Sequence, residues 1–337
     1  MSLRPDLLLL VDYSPAIGTG HLMRCLTVVE WLRLASPHSL AIRLLAPALP
    51  LPLVEHCQRL GVEISTPEPQ RPLAAQVAAL QPRLLLIDGY GFDPSQLQAL
   101  AATGITLALF DDLNDRGPLP AALVINPSPL AQPDHYPSVA QVLTGCQFAP
   151  LRAEFSRQPY VAPSQRQRLL INCGGSDPLA LSQPLAALAL GKLPDEAGVD
   201  LVTGAACPHA TAVGHWCSGL STSRLRHHHA IATLAEVGAS ARLAVVALGN
   251  TLYELCALGT PVLGLWVAAN QRPTAMALAG QGIIDSYGAD ERDALGERLQ
   301  QLWQQPQLLD QRAERQRQLV DGRGGERIAS AIRQLLA

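Results

Sequence analysis

Residues 7–25 have the sequence LLLLVDYSPAIGTGHLMRC. The apolar run Leu7–Val11 predicts a buried parallel strand, because such strands are covered on both faces and are almost continuously hydrophobic. A loop containing Gly18 and Gly20 follows, and a helical stretch then begins at His21. A strand, a loop and a helix in this order start a β-α-β unit, so the stretch favours an α/β fold with a parallel sheet.

The same alternation of strands and helices continues through most of the chain. In the first half, strands are predicted at 7–11, 41–45, 62–65, 84–87, 106–110 and 122–125, with helices near 21–35, 51–60, 73–80 and 94–102. In the second half, strands are predicted at 169–172, 200–203, 243–247 and 262–265, helices at 181–190, 251–258 and 274–281, and a helical tail from 290 to 337. Residues 126–163 are rich in proline and turn residues and are predicted to connect two domains.

Two Rossmann-like domains, 1–150 and 151–337, are therefore expected to face each other across a cleft, and the last helix could return to the first domain. The length of 337 residues also favours two domains. Ligands of such sheets bind beyond the carboxyl ends of the strands. The chemistry is accordingly expected in the loops that follow the strands.

Composition and charge exclude several classes of protein. Hydrophobic residues make up 48% and charged residues 16% of the sequence, which argues against disorder. The net charge of −3, without a basic stripe, argues against a nucleic-acid partner or a membrane-surface anchor. No apolar run of about 18 residues predicts a membrane span, and the first apolar run is too short for a signal sequence. A cytoplasmic monomer is expected.

Cysteines and histidines raise the question of metal binding. The seven cysteines are scattered without a C-x-x-C pair, as is typical of buried apolar side chains. The triplet His227, His228 and His229 favours a loop or surface position, with a metal site as the alternative.

The loop from Asp12 to His21 is the first candidate for a binding site. Gly18 and Gly20 let a ligand approach the backbone, and the start of the helix favours an anion. The positive end of the helix favours a neutral imidazole at His21, which could then accept a proton. The alternative is a tight turn with His21 as an exposed cap. The G-x-G-x-x-G dinucleotide motif is not met, which disfavours a dehydrogenase.

Acidic residues follow two further strands of the first domain. Asp88 and Asp93 lie in the loop after one strand, and Asp111 and Asp112 follow the next. Acids at these positions could contact a ligand or cap the next helix. Tyr90 stands between two glycines, where it is expected to project into the cleft.

Three loops of the second domain carry polar or glycine residues suited to a nucleotide. Gly174, Gly175 and Ser176 can expose amides to a phosphate, or the segment up to Asp177 can cap the next helix. Gly249, Asn250 and Thr251 begin a helix whose free amides suit a diphosphate, and Glu254 on its first turn could accept ribose hydroxyls. Alternatively, Asn250 and Glu254 form a capping box. Asn270 and Gln271 follow a strand beside the same cleft.

Together these segments resemble the UDP-sugar hydrolases of pseudaminic acid biosynthesis, which share the GT-B architecture of the MurG-type glycosyltransferases. The most specific segment is IGTGHLMRCL at residues 17–26. The segments DGYG at 88–91, DD at 111–112, LRAEF at 151–155, GGSD at 174–177, GNTLYE at 249–254 and NQ at 270–271 follow in the family's order. The resemblance extends over most of the chain.

The resemblance implies that His21 is the catalytic base and that Tyr90 and Asn270 contact the sugar or the reacting water. It implies that residues 174–176 and 249–251 hold the diphosphate and that Glu254 holds the ribose; Gly18, Gly20, Arg24 and Gln271 are further expected contacts with substrate. The sequence departs from the family at Tyr13, Gly89, Asn250, Tyr253 and Ala269, most of which would line the site, so the identity of the sugar stays open.

The implied reaction is hydrolysis of a UDP-activated deoxy-diacetamido sugar without a metal or other cofactor. UDP is a good leaving group when helix amides neutralise its charge, so the main demand is a base that activates water. The alternatives are a glycosyltransferase that uses a UDP-sugar donor and a non-catalytic nucleotide-sugar binding protein.

Overall fold

The computed structural model describes residues 4–13, 19–36 and 40–337. Gly18, an expected substrate contact, lies outside these residues. The chain forms two compact units, of which the first comprises residues 1–153 and 323–337 and the second residues 154–322.

The first unit contains a seven-stranded parallel sheet in the order β3-β2-β1-β4-β5-β6-β7. Its strands are β1 (Leu7–Val11), β2 (Ile42–Leu45), β3 (Val62–Ser65), β4 (Leu84–Asp88), β5 (Thr106–Phe110), β6 (Leu123–Asn126) and β7 (Gln141–Thr144). Its helices are α1 (Gly20–Ala35), α2 (Leu51–Arg59), α3 (Leu73–Leu80) and α4 (Pro94–Ala101), while α5 (Ala153–Arg157) lies at the boundary between the units.

The second unit contains a six-stranded parallel sheet in the order β10-β9-β8-β11-β12-β13. Its strands are β8 (Arg168–Asn172), β9 (Gly198–Thr203), β10 (Leu225–His229), β11 (Ala241–Ala247), β12 (Val262–Trp266) and β13 (Asp285–Gly288). Its helices are α6 (Ser182–Lys192), α7 (Ala210–Gly219), α8 (Ala235–Ser240), α9 (Asn250–Leu258), α10 (Arg272–Gly280), α11 (Arg292–Trp303) and α12 (Pro306–Leu319).

The last helix, α13 (Gly324–Leu336), packs in the first unit against α1. Ile328 and Ile332 of α13 join the same buried cluster as Leu7 and Leu9 of β1. Two glycines permit the close approach, because a Cβ on Gly325 would lie 2.3 Å from Trp31 and one on Gly324 would lie 2.2 Å from the carbonyl oxygen of Ala149. The C-terminal helix therefore supports the helix that carries His21 and Arg24.

The structure adds a strand to two regions at the edges of the sheets. Residues 126–163 contain the boundary between the units, as expected, but also β7, the edge strand of the first sheet. His227–His229 lie at the surface, one of the two expected positions, but they end the edge strand β10 and do not lie in a loop. Edge strands are only partly buried and therefore lack the apolar run by which inner strands are recognised. No helix among the described residues is long and apolar enough to cross a bilayer.

Candidate functional site

The order of the strands reverses once in each sheet and marks where a ligand would bind. In the first unit the chain runs outward from β1 through β2 to β3 and from β4 through β5, β6 and β7, so the reversal lies between β1 and β4. In the second unit it lies between β8 and β11. Open α/β sheets bind ligands beyond the carboxyl ends of the strands at this position.

His21 lies at this position in the first unit, on the first turn of α1. Its Nδ1 is 2.8 Å from Oδ1 of Asp88, the last residue of β4, whose side chain is fully buried. Because a carboxylate only accepts hydrogen bonds, this contact places the proton of the neutral imidazole on Nδ1. The lone pair is then on Nε2, which has no hydrogen-bond partner within 4–13, 19–36 and 40–337.

Arg24, one turn further along α1, joins two carboxylates. Its Nε donates to Asp88 Oδ2 at 2.7 Å, and Nη1 donates to Asp112 Oδ1 at 2.8 Å. Its guanidinium also lies 4.4 Å from the ring centroid of Phe110. One cation between two carboxylates leaves a net negative charge beside His21.

Asp88 stays ionised in spite of its burial. Burial raises the pKa of this carboxyl, but attraction and hydrogen bonding by Arg24, with a contribution from His21, outweigh burial and hold the pKa below its ordinary value. Asp88 is therefore a permanent acceptor that fixes the orientation and tautomer of His21.

Tyr90 completes the cluster and projects to the surface, with 49% of its side chain exposed. Its ring contacts that of His21 edge to face at 4.8 Å, and its hydroxyl donates to Asp112 Oδ2 at 3.3 Å. Burial, followed by the charge of Asp112, raises the pKa of Tyr90 to about 12. The phenol thus stays protonated at neutral pH and can donate a hydrogen bond.

The acids after β4 and β5 have different roles. Asp93 caps α4, since its side chain accepts from the amide of Gln96 at 2.9 Å. Asp111 is buried in an ion pair with Arg116 at 2.9 Å. Asp112 contacts Arg24 and Tyr90 and belongs to the candidate site. The sequence left these acids between ligand contact and helix capping, and it did not predict Asp88 or Asp112 as partners of His21 and Arg24.

The loop after β4 closely approaches Asp12 after β1, which explains why position 89 is a glycine. The loop after β4 packs on the loop after β1, where the Gly91 amide donates to Asp12 Oδ2 at 2.9 Å. A Cβ on Gly89 would lie 2.2 Å from the Cβ of Asp12, and the φ of Gly89 is +156°. A larger residue at position 89 would require a different arrangement of these loops.

In the second unit, the loop after β8 exposes backbone at the carboxyl edge of the sheet. Gly174 adopts a φ of +84°, and Gly175 and Ser176 are exposed. Asp177, in contrast, is buried and accepts from the amides of Leu181 and Ser182, so it fixes the chain before α6.

Helix α9 begins directly after β11, the neighbour of β8. No side chain caps its first turn, where Gly249 is the N-cap, so the capping box between Asn250 and Glu254 is not formed. Gly249 and Asn250 are exposed, and Thr251 is half-buried. Glu254 was predicted on the first turn of this helix. It is the fifth residue of α9 and therefore lies just beyond the first turn.

Asn270 and Gln271 follow β12, the next strand of the same sheet. Asn270 is exposed. The Oε1 atom of Gln271 accepts from the amide of Val267 at 2.8 Å, so this oxygen shapes the loop. Because β8, β11 and β12 are neighbours, the three predicted binding segments lie along one edge of the sheet.

The histidines of β10 do not converge on one point. His227 Nε2 lies 2.8 Å and His229 Nδ1 lies 3.1 Å from the hydroxyl of Thr203, whereas His228 Nε2 lies 2.8 Å from Asp200. Alternate side chains of a strand point to opposite faces, which separates His228 from the other two. In the described part of the chain, no group of three or more His, Cys, Asp or Glu side chains is arranged to hold a metal ion.

Comparison with known protein sequences finds a relative over most of the chain. No protein-family model matches the chain. The spore coat polysaccharide biosynthesis protein SpsG of Bacillus subtilis (strain 168) is 26% identical over 262 residues, which cover 75% of this chain and 76% of that protein. The chain thus has a curated relative over most of its length.

Solved structures match over nearly the whole chain. MurG of Acinetobacter baumannii has a TM-score of 0.65 at 17% identity and covers 97% of this chain and 99% of its own. Anabaena HepE in complex with UDP and glucose has a TM-score of 0.63 at 14% identity, with 98% and 100% covered. A glycotransferase of kitacinnamycin has a TM-score of 0.68 at 18% identity, with 99% and 100% covered. The prediction of a GT-B-like fold of two Rossmann-like domains is confirmed.

Proposed function

We propose that this chain hydrolyses a UDP-activated sugar, with His21 as the base that activates water. The carrying observation is the 2.8 Å contact between His21 Nδ1 and the buried carboxylate of Asp88, at the reversal of strand order in the first sheet. The similarity to a polysaccharide biosynthesis protein, and to a fold neighbour crystallised with UDP and glucose, supports a nucleotide sugar as the substrate.

The chemical step needs one proton acceptor and one leaving group. Nε2 of His21 accepts a proton from water while the water oxygen forms a bond to the anomeric carbon. The bond between that carbon and the oxygen of the β-phosphate breaks, and UDP leaves with the electron pair. The net negative charge of Asp88, Arg24 and Asp112 stabilises the imidazolium, and proton transfer of this kind contributes about 10²–10⁴-fold in rate.

The proposal assigns the nucleotide to the second unit. The exposed Gly175 and Ser176 and the first turn of α9 offer amides to the diphosphate, because the amides at the start of a helix lack partners within it. The amide of Gly174 donates to Asn172 Oδ1 at 3.3 Å, so Gly174 shapes this loop through its positive φ. Glu254 accepts hydrogen bonds from the ribose, and Asn270 contacts the sugar or the water. Gly20 and Arg24 belong to the part of the site that we assign to the sugar.

For the sugar itself we propose 2,4-diacetamido-2,4,6-trideoxy-β-L-altropyranose, the substrate that the family resemblance implies, which would place the chain in nonulosonic acid biosynthesis. The departures at Tyr13, Gly89 and Tyr253 make related deoxy-amino sugars the first alternatives to include in an assay.

A glycosyltransferase is the second candidate, and the shared fold of MurG and the kitacinnamycin glycotransferase favours it. His21 would then accept a proton from an acceptor hydroxyl in place of water. The same arrangement of His21 and Asp88 supports either reaction, so the acceptor must be tested directly.

Purified protein with a panel of UDP-sugars, without added acceptor, tests the proposal. NMR of the sugar should show free reducing sugar in equal amount to the UDP released. UDP release that requires an added hydroxyl acceptor would replace the hydrolase by a transferase. Tight binding of a UDP-sugar without turnover, with and without acceptors, would contradict both enzymatic proposals.

Gly204→Ala is expected to weaken UDP binding, although Gly204 is not itself a predicted contact of the nucleotide. A Cβ at this position would lie 2.4 Å from the carbonyl oxygen of Gly175 and must displace the loop that offers amides to the diphosphate. Overpacking of this kind costs about 1–3 kcal/mol, so the Kd for UDP in calorimetry should rise about tenfold. Gly219→Ala, where the added Cβ meets open space, is the matched control, and equal Kd values for the two variants would refute the proposed loop.

Tyr90→Phe is expected to lower kcat/KM about 3- to 10-fold, which corresponds to one lost hydrogen bond. Because the pKa of Tyr90 is raised to about 12, the loss should be constant from neutral to mildly alkaline pH. Steady-state kinetics over this range, with the exposed Tyr160→Phe as control, provide the measurement. An unchanged kcat/KM in Tyr90→Phe would show that the phenol does not act as a donor, and a loss that disappears at mildly alkaline pH would show that the phenol ionises there, against its raised pKa.

A further inference from the structure

A cleft lies at the amino ends of the strands in the second unit, at the edge opposite to the loops after β8, β11 and β12, which we call the nucleotide loops. It has a volume of about 610 Å³, and its lining includes Lys192, Glu196, Arg242, Gln300 and Trp303. Pockets for small molecules typically measure about 300–1,000 Å³. The cleft forms where α6 and α11 end, and no step of the proposed reaction uses it.

Arg242 is held in the wall of this cleft by an irregularity of the sheet. The register between β11 and β8 shifts between Ala241 and Leu243, so Arg242 lies outside the regular ladder. Such irregularities change the direction of a side chain and are frequent beside functional sites.

The guanidinium of Arg242 is only partly satisfied by the protein. The side chain is 9% exposed, and Nη2 donates to the carbonyl oxygen of Trp303 at 2.8 Å. Its Nε is buried without a hydrogen-bond partner in the described part of the chain. Burial lowers the pKa of the guanidinium, although Asp310 attracts it. The carbonyl oxygen at the end of α11 satisfies the donor at Nη2, but Nε has no acceptor.

Lys192 adds a second cation and is the only lysine in a sequence that otherwise uses arginine. Among the residues that line the cleft, Lys192 and Arg242 oppose a single carboxylate, Glu196. The neighbouring wall is fixed, because Arg224 donates to the carbonyl oxygens of Leu193 at 3.1 Å and Pro194 at 2.8 Å. The two cations are thus presented by a pre-formed wall, which lowers the entropic cost of binding.

The two cations favour an anionic ligand, and the other residues that line the cleft indicate what the ligand carries besides its charge. Gln167, Gln300 and Gln304 are exposed and can both donate to and accept from hydroxyl groups. Trp303 is 6% exposed, and the guanidinium of Arg242 lies 5.0 Å from its ring centroid, which fixes that side chain in the wall. We propose that this cleft binds a small hydroxylated organic anion, a sugar acid or a sugar phosphate of monosaccharide size, at a site separate from the nucleotide loops.

The single lysine provides a specific probe for this site. Reductive methylation with ¹³C-formaldehyde should yield NMR signals from Lys192 and from the terminal amine, and dimethyl-lysine keeps its positive charge. The full chain is titrated at constant ionic strength with D-gluconate, D-glucose 6-phosphate, neutral D-glucitol and sodium sulfate. A saturable shift of the Lys192 signal is expected with gluconate, with glucose 6-phosphate or with both, and these two arms distinguish a carboxylate from a phosphate ligand.

The comparison ligands decide whether both parts of the proposal hold. Glucitol, which lacks the charge, and sulfate, which lacks the hydroxylated chain, should leave the Lys192 signal unshifted at the same concentrations. Equal shifts with either of them, or no saturable shift with either sugar anion, would overturn the proposed ligand class.

Variants test whether the proposed side chains bind the anion. Arg242→Gln should raise the Kd of the bound anion at least about tenfold, since it removes a charge-assisted contact. Gln300→Ala, at an exposed position, should raise it about threefold, and Arg226→Gln, which removes an exposed charge from β10, should not change it. Should Arg242→Gln fail to fold, Gln300→Ala still decides, because an unchanged Kd in that variant contradicts the proposal.

Discussion

His21→Asn is expected to lower kcat for UDP release about 10²–10⁴-fold while the affinity for UDP stays unchanged. The asparagine amide can still donate to Asp88, as Nδ1 of His21 does at 2.8 Å, but it supplies no basic nitrogen. The loss of kcat therefore measures proton transfer alone, because the hydrogen bond to Asp88 at the start of α1 is kept. Single-turnover kinetics and calorimetry with UDP provide the two measurements.

His215→Asn is the matched control, because this histidine is exposed on α7 of the second unit. Its kcat should equal that of the unaltered protein. If His21→Asn keeps more than about a tenth of kcat, the imidazole is not the base in the chemical step, and another residue must accept the proton.

Arg24→Leu is expected to lower the free energy of unfolding by about 3–5 kcal/mol at neutral pH. The substitution leaves Asp88 fully buried without its cation, while Asp112 can still reach solvent. Urea unfolding measures the change. Arg59→Leu removes an exposed arginine from α2 and should change the free energy of unfolding by less than about 0.5 kcal/mol.

The pH dependence of this variant should distinguish a lost ion pair from a general packing defect. In the unaltered protein the folded pKa of Asp88 is depressed, so its contribution is present above the unfolded value of about 3.9 and is lost as the pH falls through the folded value. Without Arg24, burial should raise the folded pKa, and stability is then lost as the pH rises. The difference between the two proteins should shrink on acidification; a constant difference would argue for a packing defect.

The inner strands could be predicted from sequence because their apolar runs are explicit. The prediction for β1 matches its observed bounds, and that for β4 differs by one residue, Asp88. The edge strands β7, β10 and β13 were missed because half-buried positions admit polar residues such as glutamine, threonine, histidine and aspartate. A search for short polar segments of β-branched residues after the last apolar strand would have detected β7.

The candidate site could be predicted only in part, because sequence does not state which strands are neighbours. The signature around His21 and the position of Tyr90 between glycines pointed to the loops after β1 and β4. The partner of His21 depended on the pairing of β1 with β4, which brings Asp88 beside α1. Asp93, Asp111 and Asp112 look alike as acids after strands, and only the fold separates a helix cap, an ion pair and a site residue.

The return of α13 to the first unit has a consequence for synthesis on the ribosome. Residues 154–322 form a contiguous unit that can fold as soon as it emerges, whereas the first unit lacks α13 until residues 324–336 have been synthesised. At translation rates of about 5–20 residues per second, the surface of α1 that receives Ile328 and Ile332 stays uncovered for about 9–37 s. The packing around the helix that carries His21 and Arg24 is therefore completed only after the second unit has been synthesised.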